Sequence, residues 1–320
     1  MCHNIQFVSL DQLVCPKHSY RRLKAILNES FVGESVRDLE KASGREGYGI
    51  ARLFYVLLLQ FMEDLSDREC ERFLAENNAG KWFCGFDLMS ETPDHNTISR
   101  ARKRIGPKRL GELFSRMRER LNGEGIISEV FTFVDATHLI SKANLWRERD
   151  RAIREKYEKL NNEILPKVAV DKQARIGCKG KDKFWYGYKA HVTVDTQSGL
   201  INKVAVTPAN VSDAHGFKHV CPNSGAVYAD KGYCLKSAIN AAKSKGVHLA
   251  AIKRNNMKGK NHDLDKYYSH IRMPYERVFS KLGKRTPYGG IAKNQFRIFM
   301  KSICHNLKRL IVLDIPEFAF

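Results

Sequence analysis

The hydrophobic period of this chain changes once, and that change limits what it can fold into. Up to about residue 121, apolar residues return every three or four positions over 19–28, 48–62, 67–75 and 107–121, which predicts amphipathic helices. The run Asn122-Gly123-Glu124-Gly125 then reads as a loop. Beyond it, strands are predicted at 131–140, 189–195, 200–206, 225–229 and 248–252, with a turn at 196–199 joining the second and third into a hairpin. Helices are predicted from Ser212 onward, at 235–245, and as a closing pair at roughly 266–281 and 292–313. Strands alternating with helices after an initial hairpin imply an α/β domain, a mixed sheet flanked by helices, behind an all-α amino-terminal domain. The expected division is 1–128 and 129–320, with an insertion at about 141–188 between the first and second strands.

A chain of 320 residues has room for two domains and a sizeable core. Its formal charge of +20 is unevenly placed, about +1 before residue 131 and about +19 after it. A basic soluble surface would account for the total; the asymmetry favours a carboxyl-terminal half that binds a polyanion, where Lys and Arg displace counterions from nucleic acid. No membrane role is expected: the longest apolar stretch, 50–62, is broken by Arg52 and Gln60 and is shorter than the roughly 20 residues of a span, so it reads as a buried helix. Residues 1–10 lack the basic start and apolar segment of a signal peptide. The eight cysteines form no CxxC pair, and Cys15-Pro-Lys-His18 has no second half for a zinc site, so reduced thiols and a cytoplasmic location are expected.

Three carboxylates stand in unlike local contexts: Asp135 in FTFVDATHLI, Asp230 in GAVYADKGY and Glu276 in RMPYERVFSKL. Asp135 shares a strand face with Phe131 and Phe133, and Asp230 ends a strand before a Lys231-Gly232-Tyr233 turn. Leaving even a neutral polar group unpaired in an apolar run costs roughly 2–7 kcal/mol, so these acids need compensation. Mg²⁺, which takes one or two carboxylates plus substrate phosphates, is a natural candidate. Glu276 lies one helical turn beyond Arg272, which can hold its carboxylate, and Pro274 is expected to begin or kink that helix. A lone Asp at a strand end is ordinarily a turn or cap residue; three acids in one basic domain are more informative.

Two basic segments stand out. In ETPDHNTISRARKRIG, Asn96 or Thr97 is expected to cap a helix on which Arg100, Lys103 and Arg104 share a face while Arg102 points elsewhere. That face is either solvated or contacts DNA. Within the insertion, 145–164 alternates acids and bases at helical spacing, which reads as a solvated helix. After it, ARIGCKGKDKFWYGYKAH interleaves Arg175, Lys179, Lys181, Lys183 and Lys189 with Phe184, Trp185, Tyr186 and Tyr188. Lysines there can hold a nucleic-acid backbone while aromatic faces stack on bases. Strand alternation should send half of those aromatics into the core.

The blocks PDHNTISRARKRIG, VDATHLI, KFWYGYKAHVTVDTQSGLI, TPANVSDAH, VYADKGY and YERVFSKL, in that order, resemble the bacterial insertion-sequence transposases of the DDE class, over about residues 20–310. The resemblance implies an RNase H-like catalytic domain and an amino-terminal helical domain that binds transposon ends. It implies Asp135, Asp230 and Glu276 as catalytic, metal-binding acids for two Mg²⁺ ions, with Mn²⁺ tolerated; such pairs sit about 3.5–4 Å apart and serve in-line phosphodiester cleavage and strand transfer. DNA is the implied partner, both terminal inverted repeats and target, with a homodimer assembled on it. Arg272, Lys281 and Lys284 join Arg100, Lys103, Arg104, Arg175, Lys179, Lys181, Lys183 and Trp185 as expected DNA contacts. Related transposases often place a Tyr three residues before the Arg and a Lys seven after the Glu; here Tyr268 is four before Arg272 and Gly283 takes the other position, with Lys281 or Lys284 as substitutes. Two alternatives stay open, a catalytically inactive or domesticated DNA-binding protein and an RNase H-like structure-selective nuclease.

Overall fold

The computed structural model describes residues 8–40, 47–180, 182–272, 276–315 and 318–320. The chain forms two units, residues 1–113 with 306–320, and residues 114–305. The first holds helices α1 (Leu10–Leu13), α2 (Ser19–Ile26), α3 (Glu29–Val36), α4 (Ile50–Met62), α5 (Asp67–Glu76) and α6 (Asn78–Cys84), and the division falls within α7 (His95–Gly123). Helix α4 is apolar on nearly every side, which suits only the centre of a helical cluster, and it is almost wholly buried. Tyr55 donates its hydroxyl to the Leu27 carbonyl at 3.0 Å, and Tyr20 donates to Glu63 Oε1 at 2.9 Å. Helix α7 is capped by Asp94, whose Oδ1 accepts the Thr97 N–H at 2.8 Å, not by the expected Asn96 or Thr97. It bends at Gly106, which takes a φ of 67° ahead of Pro107, so the helix carrying Arg100 to Arg104 and the one expected at 107–121 meet there.

The second unit is built on a six-stranded sheet: β1 (Phe131–Ile140), β2 (Arg175–Lys179), β3 (Lys183–Asp195), β4 (Ile201–Pro208), β5 (Ala226–Ala229) and β6 (His248–Ala251). Strand β3 pairs antiparallel with β1, β4 and β2, and the parallel pairs β1–β5 and β5–β6 complete the sheet. Helices α8 (Leu145–Arg154), α9 (Leu165–Val168), α10 (Asp213–Gly216), α11 (Lys236–Lys243), α12 (His262–Arg272) and α13 (Glu276–Leu282) accompany it, and the second division falls within α14 (Ile291–Leu313). The order β4-β3-β1-β5-β6, three antiparallel strands followed by two parallel ones, is the RNase H-like arrangement.

Residue alternation gives β1 two faces. Val134, with Val227 and Ala229 of β5, packs on Ala214, Phe217, Tyr233 and Ala238. Phe133, on the opposite face, meets Phe279 of α13 with ring centroids 5.6 Å apart, and Tyr228 meets Tyr268 of α12 at 5.5 Å. The single helix expected at 266–281 is two, α12 and α13, with Pro274 between them in sequence. The strand expected at 189–195 starts six residues earlier, because β2 supplies a hairpin partner for 183–187. Among the described residues, no helix is long and apolar enough to cross a membrane.

Candidate active site

In the parallel ladder Phe133 pairs with Tyr228 and Val134 with Ala229. The next residue on each strand is an aspartate. Asp230 keeps an extended backbone (φ −71°, ψ 165°), so Asp135 and Asp230 leave adjoining strands at one register and on one face, with the strands about 4.8 Å apart. Each carboxylate accepts the following residue's N–H through Oδ1, at 2.8 Å from Ala136 and 2.6 Å from Lys231, which fixes both rotamers. Register depends on Gly225: its φ is 74°, and a Cβ there would stand 2.1 Å from the Glu129 carbonyl oxygen. Only glycine lets β5 start this close to β1.

Helix α13 begins at Glu276, and Phe279, one turn on, lies against Phe133. The helix that opens with Glu276 therefore covers the face from which Asp135 projects. Past α13 the chain is tied to β1, as Ile140 donates to the Lys284 carbonyl at 2.7 Å and Thr286 donates back to Ile140 at 2.9 Å. The side chains of Glu276 and Arg272, and Lys181, lie outside the described residues. Among the described residues no three His, Cys, Asp or Glu side chains converge. The two aspartates nonetheless suit a hard cation, since carboxylate oxygens are the donors Mg²⁺ prefers.

The other face of β1 is built differently. His138 pairs with Lys189, whose ammonium meets Asp213 Oδ1 at 2.9 Å and lies 5.6 Å from the Trp185 ring centroid. The Asp213 carboxylate also backs Gly232, 3.5 Å from where a Cβ would stand, and so supports the turn after Asp230. Burial lowers the pKa of His138, and the charges of Lys284 and Lys179 lower it further. Trp185, an expected DNA contact, lies 5.4 Å from His138 ring to ring, and the charges of Lys179 and Lys284, expected contacts from separate segments, reach the same imidazole. His138 and Asp213 were not among the expected site residues, and Lys189, read with the basic segment as able to hold a nucleic-acid backbone, is paired with Asp213 instead; their grouping follows from β1–β3 pairing, which local sequence does not state.

The remaining expected contacts are spread out. Lys183 faces Lys179 across the β2–β3 hairpin, and both are exposed, as is Lys281. Arg175 donates to the Lys172 and Ala174 carbonyls, both at 2.8 Å, and so closes a turn of its own segment. On α7, Arg100, Lys103 and Arg104 are exposed, whereas Arg102 turns inward to Asp67 and to Gln60 Oε1 at 2.9 Å. Of the four aromatics, Tyr186 and Tyr188 are buried and Phe184 is 62 % exposed, although the three share one face. Burial here changes along the strand and not between faces, because the hairpin tip runs beyond the packed sheet. Tyr188 donates to the Asp171 carboxylate at 2.7 Å, and Asp171 Oδ2 accepts the Gly290 N–H at 3.0 Å, anchoring the insertion beside the start of α14.

The RNase H-like sheet thus carries two aspartates at one register on adjoining parallel strands. Residues 129–307 match the transposase DDE domain, and residues 8–104 match a transposase domain (DUF772). The chain belongs to the DDE transposase family. Among solved structures it is similar to a piggyBac transposase synaptic complex with hairpin DNA, at TM-score 0.42 and 10% identity over 92% of this chain and 76% of that one. It is also similar to a pre-cleavage Mos1 transpososome, at TM-score 0.18 and 7% identity over 86% of this chain and 82% of that one. Both likenesses are weak, and the assignment rests on the family matches.

Proposed function

We propose that this chain is the transposase of an insertion sequence, binding the ends of its own element and carrying out metal-dependent phosphodiester cleavage and strand transfer. The observation that carries this reading is the shared register of Asp135 and Asp230 on adjoining parallel strands. Bringing two like charges together costs stability, and a divalent cation between them offsets that cost. Asp135, Asp230 and Glu276 would hold it. When bound, the ions would activate the attacking water or 3′-hydroxyl and stabilise the leaving oxygen. Asp135 and Asp230 contribute preset rotamers, so little reorganisation remains at the moment of reaction. Lys179, Lys183, Lys281 and Lys284 would hold phosphates near the strand ends, while Arg100, Lys103 and Arg104 contact the element's end from the helical half. Residues 1–128 then serve end recognition and 129–320 catalysis, as a homodimer on DNA.

The test compares wild type with Asp230→Asn on duplexes carrying the element's own end and flank. Wild type should nick at the end in Mg²⁺ or Mn²⁺; the variant should lose at least about 10³-fold in rate, roughly 4 kcal/mol of barrier, with duplex affinity unchanged. Wild-type nicking by the variant would refute the catalytic assignment. A wild type that binds ends and never nicks would point to an inactive, DNA-binding copy.

A further inference from the structure

Helix α8 uses one side to fold and leaves the other side unexplained. Asn144 Oδ1 accepts the Trp146 N–H at 2.9 Å and caps the helix, Ala152 and Glu148 are buried, and Glu148 Oε2 accepts the Val170 N–H at 3.2 Å. That inward side suffices to seat the helix. Trp146, Arg149 and Ile153, at spacings of three and four, share the outward side. Trp146 is 69 % exposed and Ile153 54 %, and Val170, whose backbone is tied to the helix, is 68 % exposed. The Arg149 guanidinium lies 5.6 Å from the Trp146 ring centroid. Arg147 and Arg154 are exposed too; of the two acids on the helix, Glu148 is spent internally, leaving Asp150 against three exposed arginines.

We propose that this face is a stacking site for an unpaired nucleotide, with Trp146 taking the base and Arg147 and Arg149 the adjoining phosphates; the inference rests on DNA being the substrate. Trp146 and Ile153 leave apolar surface uncovered beside the arginines, an indole face open to a planar ligand. The surrounding arginines select a polyanion, and the same excess of charge disfavours pairing with a second copy of the face. Inside duplex DNA both faces of every base are already stacked on neighbours, so away from the duplex ends an indole can stack only on a base freed from its pair. Cuts staggered between the two strands at an element's end leave such bases. The site tolerates any base, because each has a π-face.

The test uses the full-length protein with a blunt duplex and with the same duplex bearing a short unpaired tail that contains 2-aminopurine. Wild type should bind the tailed duplex about tenfold tighter and quench its fluorescence, as expected for one stacked base. Trp146→Ala should bind the blunt duplex as wild type does and lose both the preference and the quenching; Trp146→Phe should keep part of each. Retention of preference and quenching by Trp146→Ala would overturn the proposal, as would an equal loss of affinity for both duplexes. A change in sedimentation of Trp146→Ala without DNA would assign the face to a second copy instead, and also overturn it. If wild type binds neither duplex, the DNA reading itself fails.

Discussion

On one face of β1, Asp135 stands beside Asp230; on the other face, within a few residues, His138 and Lys189 meet Trp185 and Asp213. The first face sets two carboxylates at one register. The second pairs Lys189 with Asp213 and holds His191 in its neutral form, its pKa pushed down to about 4 by burial. Two faces of a single strand can thus carry opposite duties, since alternation separates adjacent side chains by the thickness of the sheet. Substitutions on the acid face should stop chemistry and spare the fold. Substitutions on the other face should do the reverse.

The largest stability effect should come from His191. Its Nε2 is 2.9 Å from Thr207 Oγ1, its ring lies against Gly216, and it faces the charges of Asp213, Lys189 and His219. With a folded pKa of about 4 against 6.5 unfolded, the unfolded chain binds the extra proton between those values. Its contribution is complete above pH 6.5 and is lost as pH falls towards 4, about 3 kcal/mol at 1.36 kcal/mol per unit. Urea melts at pH 7 and pH 4.5 should show this loss in wild type and a flatter dependence in His191→Gln. An unaltered pH dependence in the variant would mean that other groups carry it.

Lys189→Met comes next. It keeps the apolar stem and leaves Asp213, which is partly solvated, without its partner, so a loss of about 1–2 kcal/mol is expected. Cleavage should stay within a few-fold of wild type. A collapse of activity at unchanged stability would show that the Lys189–Asp213 pair acts on the Asp230 turn and that the two faces are not separate. The smallest effects belong to Lys179→Ala and Lys284→Ala. Each should flatten the slope of log K against log salt by about 0.9 if it holds one phosphate. Because both lysines depress the His138 pKa, each substitution should also raise it, which a proton NMR titration can follow.

Much of this fold was legible in the chain. The 131–140 strand is found as Phe131–Ile140, and the helix read from 50–62 is α4, because long runs of uniform period leave few alternatives. Helix α6 escaped notice: it has seven residues and a glycine within it, and tertiary contacts outweigh its weak propensity. Strand β2 escaped too, since its glycine, cysteine and lysine carry no alternation; it exists because Gly177 lets the Trp185 ring lie across it. For the site, the sequence could name Asp135 and Asp230 but not their adjacency, which is a property of parallel register. It could sort Arg102 from its neighbours by helical spacing, yet the Asp67 and Gln60 that receive it come from α4 and α5. That the charge of Lys284 reaches His138 depends on β1 meeting the chain after α13, a pairing that lies more than 140 residues apart in sequence.

The most direct test of metal ligation by the paired aspartates is the metal dependence of Asp135→Cys. A thiolate at that position disfavours Mg²⁺ and accepts softer ions. End cleavage by this variant should vanish in Mg²⁺ and return in part when Mn²⁺ or Cd²⁺ replaces it, with wild type active in Mg²⁺ throughout. Cleavage by Asp135→Cys in Mg²⁺ at the wild-type rate would contradict the account, because Asp135 would then hold no ion that the reaction needs.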